Sequence, residues 1–549
     1  MRPRRRRGPA GTPANRLAPV SGRRRKHWGW GYEDQQPGLE QVRASAAALG
    51  EHMGFPVTDV REPVPLERVT LAPPRIAPPE DLADICAQDV YSRASHALGK
   101  SYSDLVRGFE GRFDLPPDVV ARPRGERDIE RLLEWCSGAR VAVIPYGGGT
   151  SVVGGVTPDV GRGYNGTVSL DLAELGRVVE VDGVSRAARI QAGAFGPSLE
   201  RELGELGMTL RHFPQSFEFS TLGGWIATRA GGHFATVWTH IEDFLESVRA
   251  ITPAGAWESR RLPGSGAGIS PDRMLAGSEG VLGVITEAWV RIQPRPEHRS
   301  SAGVRFPDFL GAAECVRAIS QSGLNPSNCR LLDAGEAALT MAGDGSHALL
   351  VLGFESSDHA VGESMARALA ICAEHGGSAK DSGSGGSDAV SSWREAFLGA
   401  PYLRDTLVAA GILAETFETA ITWDRFAAFH ERVSAAAHRA LAESCGERGR
   451  VHCRFTHVYP DGPAPYFTVL APAVRGGEVE QWAAVKQAVG DAIIQDGGTI
   501  THHHAVGRDH RPWYDRQRPD MFAGALRGAK EAVDPAGVMN PGVLIDPRP

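Results

Sequence analysis

The chain is as informative for what it lacks as for what it holds. It has no uninterrupted apolar run near the ~18 residues that a membrane-crossing helix needs, so a soluble or surface-attached protein is expected. Its seven cysteines (Cys86, Cys136, Cys315, Cys329, Cys372, Cys445 and Cys453) form no CxxC pair and are odd in number. That excludes a thiolate zinc module and argues for buried thiols in a reducing compartment. No G-x-G-x-x-G stands between a strand and a helix with a ribose-binding acid beyond it, which excludes a Rossmann dinucleotide site. Residues 1 to 26 contain no acid but ten Lys or Arg, whereas the whole chain has a net charge of −7. This Pro/Gly-rich arm reads as disordered over 1–27, and it lacks the apolar core of a secretory signal.

What is present is a chain of 549 residues, too long for one core. Residues 28–115 open with Trp28-Gly29-Trp30-Gly31-Tyr32, continue through proline-rich connections, and read as an N-terminal region wrapping a larger domain. From 116 the pattern tightens. Asp128 to Trp135 has helical spacing, and the apolar run Val141-Ala142-Val143-Ile144 reads as a buried strand. The strand leads into Pro145-Tyr146-Gly147-Gly148-Gly149-Thr150-Ser151, a glycine loop whose backbone N–H groups suit an anion such as a pyrophosphate. Arg177 to Val181 pairs with Ala187 to Ala192 as strands, and Gly196 to Gly207 is a helix with Leu199, Leu203 and Leu206 on one face. Two further stretches follow. Phe213 to His233 is dense in hydroxyls and paired glycines, and Gly277-Ser278-Glu279-Gly280 runs into an alternating strand that ends near Ile292.

These three stretches resemble the flavin-binding domain of the vanillyl-alcohol-oxidase family over roughly residues 116–296. The resemblance implies an α+β, two-domain flavoprotein, with a FAD-binding domain and a substrate-binding cap of helices on an antiparallel sheet. It implies that FAD lies against Pro145, Gly147, Gly148, Gly149, Thr150 and Ser151 of the loop. The second stretch would contribute Gln215, Ser216, Ser220, Thr221, Gly224, Trp225, Thr228 and Arg229, and the third Glu279, Gly280, Gly283, Val284 and Ile285. Many members attach flavin through a histidine in the loop. This chain has Tyr146 there, so non-covalent FAD is expected, with His233 the remaining candidate for an attachment.

Residues 297–500 read as the cap. Strand-like Val304 to Phe306, helical Ala312 to Ser320, strand-like Ala348 to Phe354, a helix from His359 to His375, strand-like Tyr466 to Leu470 and helical Val479 to Ile494 fit helices layered on a sheet. Ser378 to Asp388 reads as a flexible loop, and 501–549 as a tail that packs back on the FAD domain. That tail opens with Thr501-His502-His503-His504-Ala505-Val506-Gly507. If it is extended, His502 and His504 share a face and His503 points the other way. Histidines satisfied by backbone, a metal site, and general acid/base chemistry all remain open for this run. No carboxylate or thiol lies beside it to complete a metal shell, and no metal is expected.

Here the resemblance narrows to the alkyl-dihydroxyacetonephosphate synthases, on Trp28 to Tyr32, Pro326-Ser327-Asn328-Cys329-Arg330-Leu331-Leu332-Asp333, Tyr402-Leu403-Arg404-Asp405, Phe417-Glu418-Thr419, Trp423-Asp424-Arg425, Cys453-Arg454, Tyr466-Phe467 and the histidine run. It implies exchange of the acyl chain of acyl-dihydroxyacetonephosphate for a long-chain fatty alcohol, through a flavin–substrate adduct and without net oxidation, as in ether lipid synthesis. Arg454 and Arg330 would serve as anion clamp and flavin-side support, Tyr466 as acid/base, and His502, His503 and His504 as proton relay and phosphate contacts. Each arginine has the alternative of a plain ion pair. Peripheral membrane contact and a homodimer accompany the resemblance, and no nucleic acid partner is expected.

The chain departs from the synthases in having Gln215-Ser216 where an aspartate usually precedes the serine, and in Val152-Val153-Gly154-Gly155 after the loop. The peroxisomal signals of eukaryotic members are absent, so a cytoplasmic location is expected. The rival is a FAD-dependent 2-hydroxy acid dehydrogenase. Many of those carry His-x-Gly-Asp-Gly-Asn-x-His for a metal, where this chain reads His457-Val458-Tyr459-Pro460-Asp461-Gly462-Pro463-Ala464 and lacks the second histidine. A nucleic-acid or scaffold protein that has lost its cofactor would be supported only by the basic arm.

Overall fold

The computed structural model describes residues 23–546 apart from 56, 58, 380–398 and 447. The strand Val141–Tyr146 lies at one edge of a four-stranded sheet beside Gly166–Asp171, which continues through Val119–Ala121 to Cys86–Ala87. Val141, Ala142, Val143 and Ile144 are all fully buried. Each such Val or Ile contributes roughly 1.5–3 kcal/mol by leaving water. The edge is covered by the tail: Val143 donates to the Val538 carbonyl at 2.8 Å and accepts from the Asn540 N–H at 2.9 Å. A second, five-stranded antiparallel sheet orders Val178–Asp182, Ala187–Gln191, Val284–Arg291, Leu245–Thr252 and Gly255–Glu258. The expected pairing of its first two strands is present. The helix Gly196–Glu205 buries Leu199 and Leu203, but it ends before Leu206, which is 60% exposed rather than on the apolar face.

The cap is a seven-stranded antiparallel sheet in the order Ser378–Ala379, His298–Phe306, Ala348–Ser356, Asn328–Leu332, Arg450–Val458, Pro463–Pro472, Ile412–Glu418. Helices Phe309–Gln321, Gly362–Glu374, Trp423–Cys445 and Glu478–Gln495 pack on it. The loop expected over 378–388 begins instead with two residues paired to Val304 and Arg305, and its remainder lies outside the described residues.

Two expectations for the N-terminus need correcting. Residues 23–27, assigned to the disordered arm, are seated: Lys26 pairs with Asp405 at 3.0 Å in a buried contact, and Arg25 donates to the Gly148 carbonyl at 2.9 Å. Trp28, Trp30 and Tyr32 join the apolar core of the cap, whereas Leu82 and Ile85 join that of the flavin domain, so the region bridges the two. Residues 1–22 lie outside the described residues. All seven cysteines are free thiols, five of them buried.

Candidate functional site

One cavity runs between the two domains, floored by the glycine loop and roofed by the cap sheet. The loop needs its glycines for packing as well as for ligand approach. A Cβ on Gly148 would strike the Phe219 carbonyl, one on Gly147 the Thr221 hydroxyl, and Gly149 has φ +66°. Among the described residues, none of the N–H groups of Gly147, Gly148, Gly149 and Thr150 has a protein acceptor. A row of unspent donors on a cavity floor fits a pyrophosphate, so the chain suits the FAD that the motifs imply.

The second stretch reaches the cavity through a short helix, Leu222–Thr228, capped by Thr221, whose hydroxyl accepts from the Gly224 N–H at 3.3 Å. Gly223 is pressed against Ala192, and the Trp225 indole donates to Ser220 at 2.7 Å. Gln215, Ser216, Ser220, Thr221, Gly224, Trp225 and Thr228 all line the cavity, as do Glu279, Gly280, Gly283 and Ile285 of the third stretch. Two of the expected flavin contacts do not. Arg229 turns outward into a bidentate pair with Glu242, and Val284 is buried within its strand. The His233 ring packs against Phe213 and Phe234 instead of lining the cavity, which withdraws it as an attachment point. Glu279 also anchors the tail. Its carboxylate accepts the N–H groups of Val506 and Gly507 at 2.9 and 2.8 Å and so docks the segment behind the histidine run. Burial pushes its carboxyl up to about 7.

The roof follows from sheet register. Leu332 is opposite Arg454, Arg454 opposite Tyr466, and Tyr466 opposite Glu418, so one cross-strand row carries the last three. Arg330, two residues before Leu332, shares its face. A bulge between Phe455 and His457 brings both Thr456 and His457 to the cavity. The Arg454 guanidinium lies 4.0 Å above the Tyr466 ring and pairs with the fully buried Glu336. Arg454 thus makes the ion pair that was the alternative to an anion clamp, here with a buried partner at the cavity wall, and its guanidinium face packs on the phenol ring. Arg330 donates to the His233 carbonyl at 3.2 Å, and burial, then Arg454, lowers its guanidinium to about 9, still cationic at neutral pH.

The histidine run is not extended. Glu418, buried in the last strand of the cap, accepts the Thr501 hydroxyl at 2.5 Å, the His503 and His504 N–H groups at 2.8 and 2.9 Å, and the His502 N–H. Three successive amides converging on one carboxylate make a bend. His503 and His504 both line the cavity, whereas His502 turns away to Tyr459, with its Nε2 2.7 Å from the hydroxyl. The Tyr466 ring centroid lies 6.2 Å from that of His503 and 5.8 Å from that of His504. Burial, reinforced by neighbouring cationic or titrating groups, holds all three imidazoles well below the ordinary histidine range, so they are neutral. Burial raises Glu418 to about 7.

Five of the six expected catalytic side chains thus meet in one cavity: Arg330, Arg454, Tyr466, His503 and His504. Sequence reasoning assigned no role to Glu418, His457 or Arg404, although all three lie within the motifs named above. Arg404 lines the same cavity and donates to Thr416 at 3.1 Å.

Comparison with known proteins agrees with this architecture. A family model for the FAD binding domain matches residues 117–259, and one for the C-terminal domain of FAD linked oxidases matches residues 295–544. The chain is 30% identical to an alkyldihydroxyacetonephosphate synthase of Dictyostelium discoideum, covering 89% of this chain and 84% of the relative. It is 29% identical to that of Trypanosoma brucei brucei, covering 87% and 82%. A solved alkyldihydroxyacetonephosphate synthase structure superposes with a TM-score of 0.78 at 26% identity, covering 94% of this chain and 98% of the other.

Proposed function

The chain belongs to the alkyldihydroxyacetonephosphate synthase family, and we propose on that premise that it replaces the acyl chain of acyl-dihydroxyacetonephosphate by a long-chain alcohol in ether lipid synthesis, using non-covalent FAD. The observation that carries this reading is the cavity itself, which joins a row of unspent backbone donors on the flavin side to cationic, phenolic and neutral imidazole groups on the cap side. FAD, when bound, supplies the ring system on which the exchange proceeds without net oxidation. The chain's own residues do the rest. Arg330, Arg404 and Arg454 attract and orient the phosphate and the departing carboxylate. His503 or His504, neutral and with Tyr466 beside it, takes the proton lost next to the ketone and returns it to the same carbon once the alcohol has replaced the departing carboxylate. The amide contacts to Glu418 support this role by holding both residues at the cavity wall.

The test is the anaerobic visible spectrum of FAD-loaded protein as palmitoyl-dihydroxyacetonephosphate is added, with D-lactate and glycolate in parallel. Bleaching by the acyl ketone phosphate alone, reversed by hexadecanol with formation of an ether product, is the expected outcome. Bleaching only by a hydroxy acid, restored by an electron acceptor, would overturn the reading in favour of the dehydrogenases.

Among the described residues no helix is long and apolar enough to cross a membrane. We also propose a cytoplasmic, membrane-associated homodimer. The lipid substrates and the exposed Met521 and Phe522 at the start of the helix Asp520–Val533 support the membrane contact, and the dimer rests on the family resemblance. Co-sedimentation with liposomes and light scattering on the eluting protein test the two parts separately.

A further inference from the structure

Behind the wall that His503 presents to the cavity lies a knot of imidazoles from separate segments. His457 comes from the bulged cap strand, and His502 and His503 come from the tail. One ring nitrogen from each of the three lies within 4.8 Å of the other two. The Nδ1 atoms of His502 and His503 face each other at 3.0 Å, close to the ~3.3 Å that two imidazole nitrogens keep when each is about 2.0–2.1 Å from a tetrahedral zinc ion.

One nitrogen of His457 and one of His502 are held by outer partners in the way metal-binding imidazoles usually are. His457 Nε2 lies 3.2 Å from the Gly232 carbonyl, and His502 Nε2 lies 2.7 Å from the Tyr459 hydroxyl. Tyr459 in turn donates to Thr239 at 3.1 Å. A hydroxyl whose proton goes to Thr239 has only lone pairs left for His502, so His502 carries its proton on Nε2 and presents a bare Nδ1 to His503. Likewise, a His457 that donates Nε2–H to the Gly232 carbonyl keeps an Nδ1 lone pair, which the Thr456 hydroxyl approaches at 3.2 Å and which a cation would take over from it. The buried Glu418 carboxylate lies 3.5 Å from His503 Nδ1, which lowers the cost of bringing a cation there. His457 and His503 both line the cavity, so a fourth coordination position opens toward substrate.

We propose that His457, His502 and His503 form a three-nitrogen site for a divalent transition cation of the zinc class. Its ligand set differs from the paired histidines of the metal-dependent dehydrogenases, since two of the three ligands come from the tail. A cation there occupies the lone pair of His503, and through it the site makes the enzyme reversibly sensitive to free zinc. That consequence rests on the proposed function, whereas the binding does not.

The experiment uses full-length, FAD-loaded protein freed of metal by dialysis against a chelator, and titrates it with Co2+ and then Zn2+. The expected result is one equivalent of Co2+ giving d–d bands of a four-coordinate ion to the red of the flavin absorption, displaced by one equivalent of Zn2+. His457→Gln and His503→Gln should each weaken binding more than the 10–100-fold typical of an outer-shell change, and Tyr459→Phe by about tenfold. His503→Cys, which offers another zinc ligand, should restore one-equivalent binding and add a thiolate charge-transfer band, showing that the weakened variants did not simply misfold. The exposed His359→Gln should change nothing. Absence of a saturable one-equivalent signal, or one that survives both His457→Gln and His503→Gln, would overturn the site. If Co2+ binds as expected but the protein catalyses no acyl-for-alcohol exchange, the site stands and the proposed function fails.

Discussion

The floor and the roof of the cavity are built by different means. The floor is backbone: a glycine loop, a short capped helix and a glycine turn, each a continuous stretch whose conformation its own residues dictate. The roof is side chain, set by sheet register and by buried carboxylates brought in from far along the chain, Glu336 to Arg454 and Glu418 to the histidine run. The floor therefore tolerates little change in shape, and the roof little change in charge. Substitutions that exchange those sensitivities test the distinction.

The largest effect is expected at Glu418, where Glu418→Ala leaves three amide N–H groups without their acceptor and releases His503 and His504. Activity should fall by about 10²–10⁴, the usual worth of positioned acid/base groups, with FAD retained. Loss of FAD in step with activity would show that roof and floor are not separable.

Next comes the pH dependence of stability. The Glu418 carboxyl rises from 4.5 to about 7 in the folded protein, so its contribution to stability is complete below pH 4.5 and is lost as pH climbs through about 7. The difference amounts to about 3 kcal/mol. Glu418→Gln, which cannot ionise, should flatten that part of the curve in denaturant melts at pH 5, 6, 7 and 8, relative to the parent. An unchanged slope would mean that the four donors hold the carboxylate ionised throughout.

Gly148→Ala should cost about 1–3 kcal/mol by overpacking the loop against the Phe219 carbonyl, and with it roughly 10–100-fold in FAD affinity, read as flavin lost on gel filtration. Arg229→Ala should do least. Its partner Glu242 keeps Arg273 at 3.0 Å, so a loss under about 1 kcal/mol and unchanged flavin content are expected. Loss of FAD in this variant would return Arg229 to the cofactor site.

The floor was legible because its signals are short-range. Four branched and small apolar residues followed by three glycines specify a buried strand and a turn wherever they occur, whereas the short helix that Thr221 caps was hidden in a stretch dense in glycines and hydroxyls and is seen only in the structure. The roof was legible only as a set of names. Arg330, Arg454 and Tyr466 stood out through family resemblance, but that they share one cross-strand row depends on register. The extended reading of Thr501 to Gly507 failed for a related reason. An isolated run of histidines has no local cause to bend, and the carboxylate that bends it lies 84 residues from His502 in sequence.

The sequence by itself determined the domain order and the buried strand with its anion-cradling glycine loop, because strand periodicity and glycine's freedom act within a few residues, and the flavin followed from family resemblance. Only the tertiary structure decided which histidines face substrate, which arginine is already paired and which flavin contacts point away. Those outcomes depend on where a buried charge finds its hydrogen bonds, and packing alone brings such partners together.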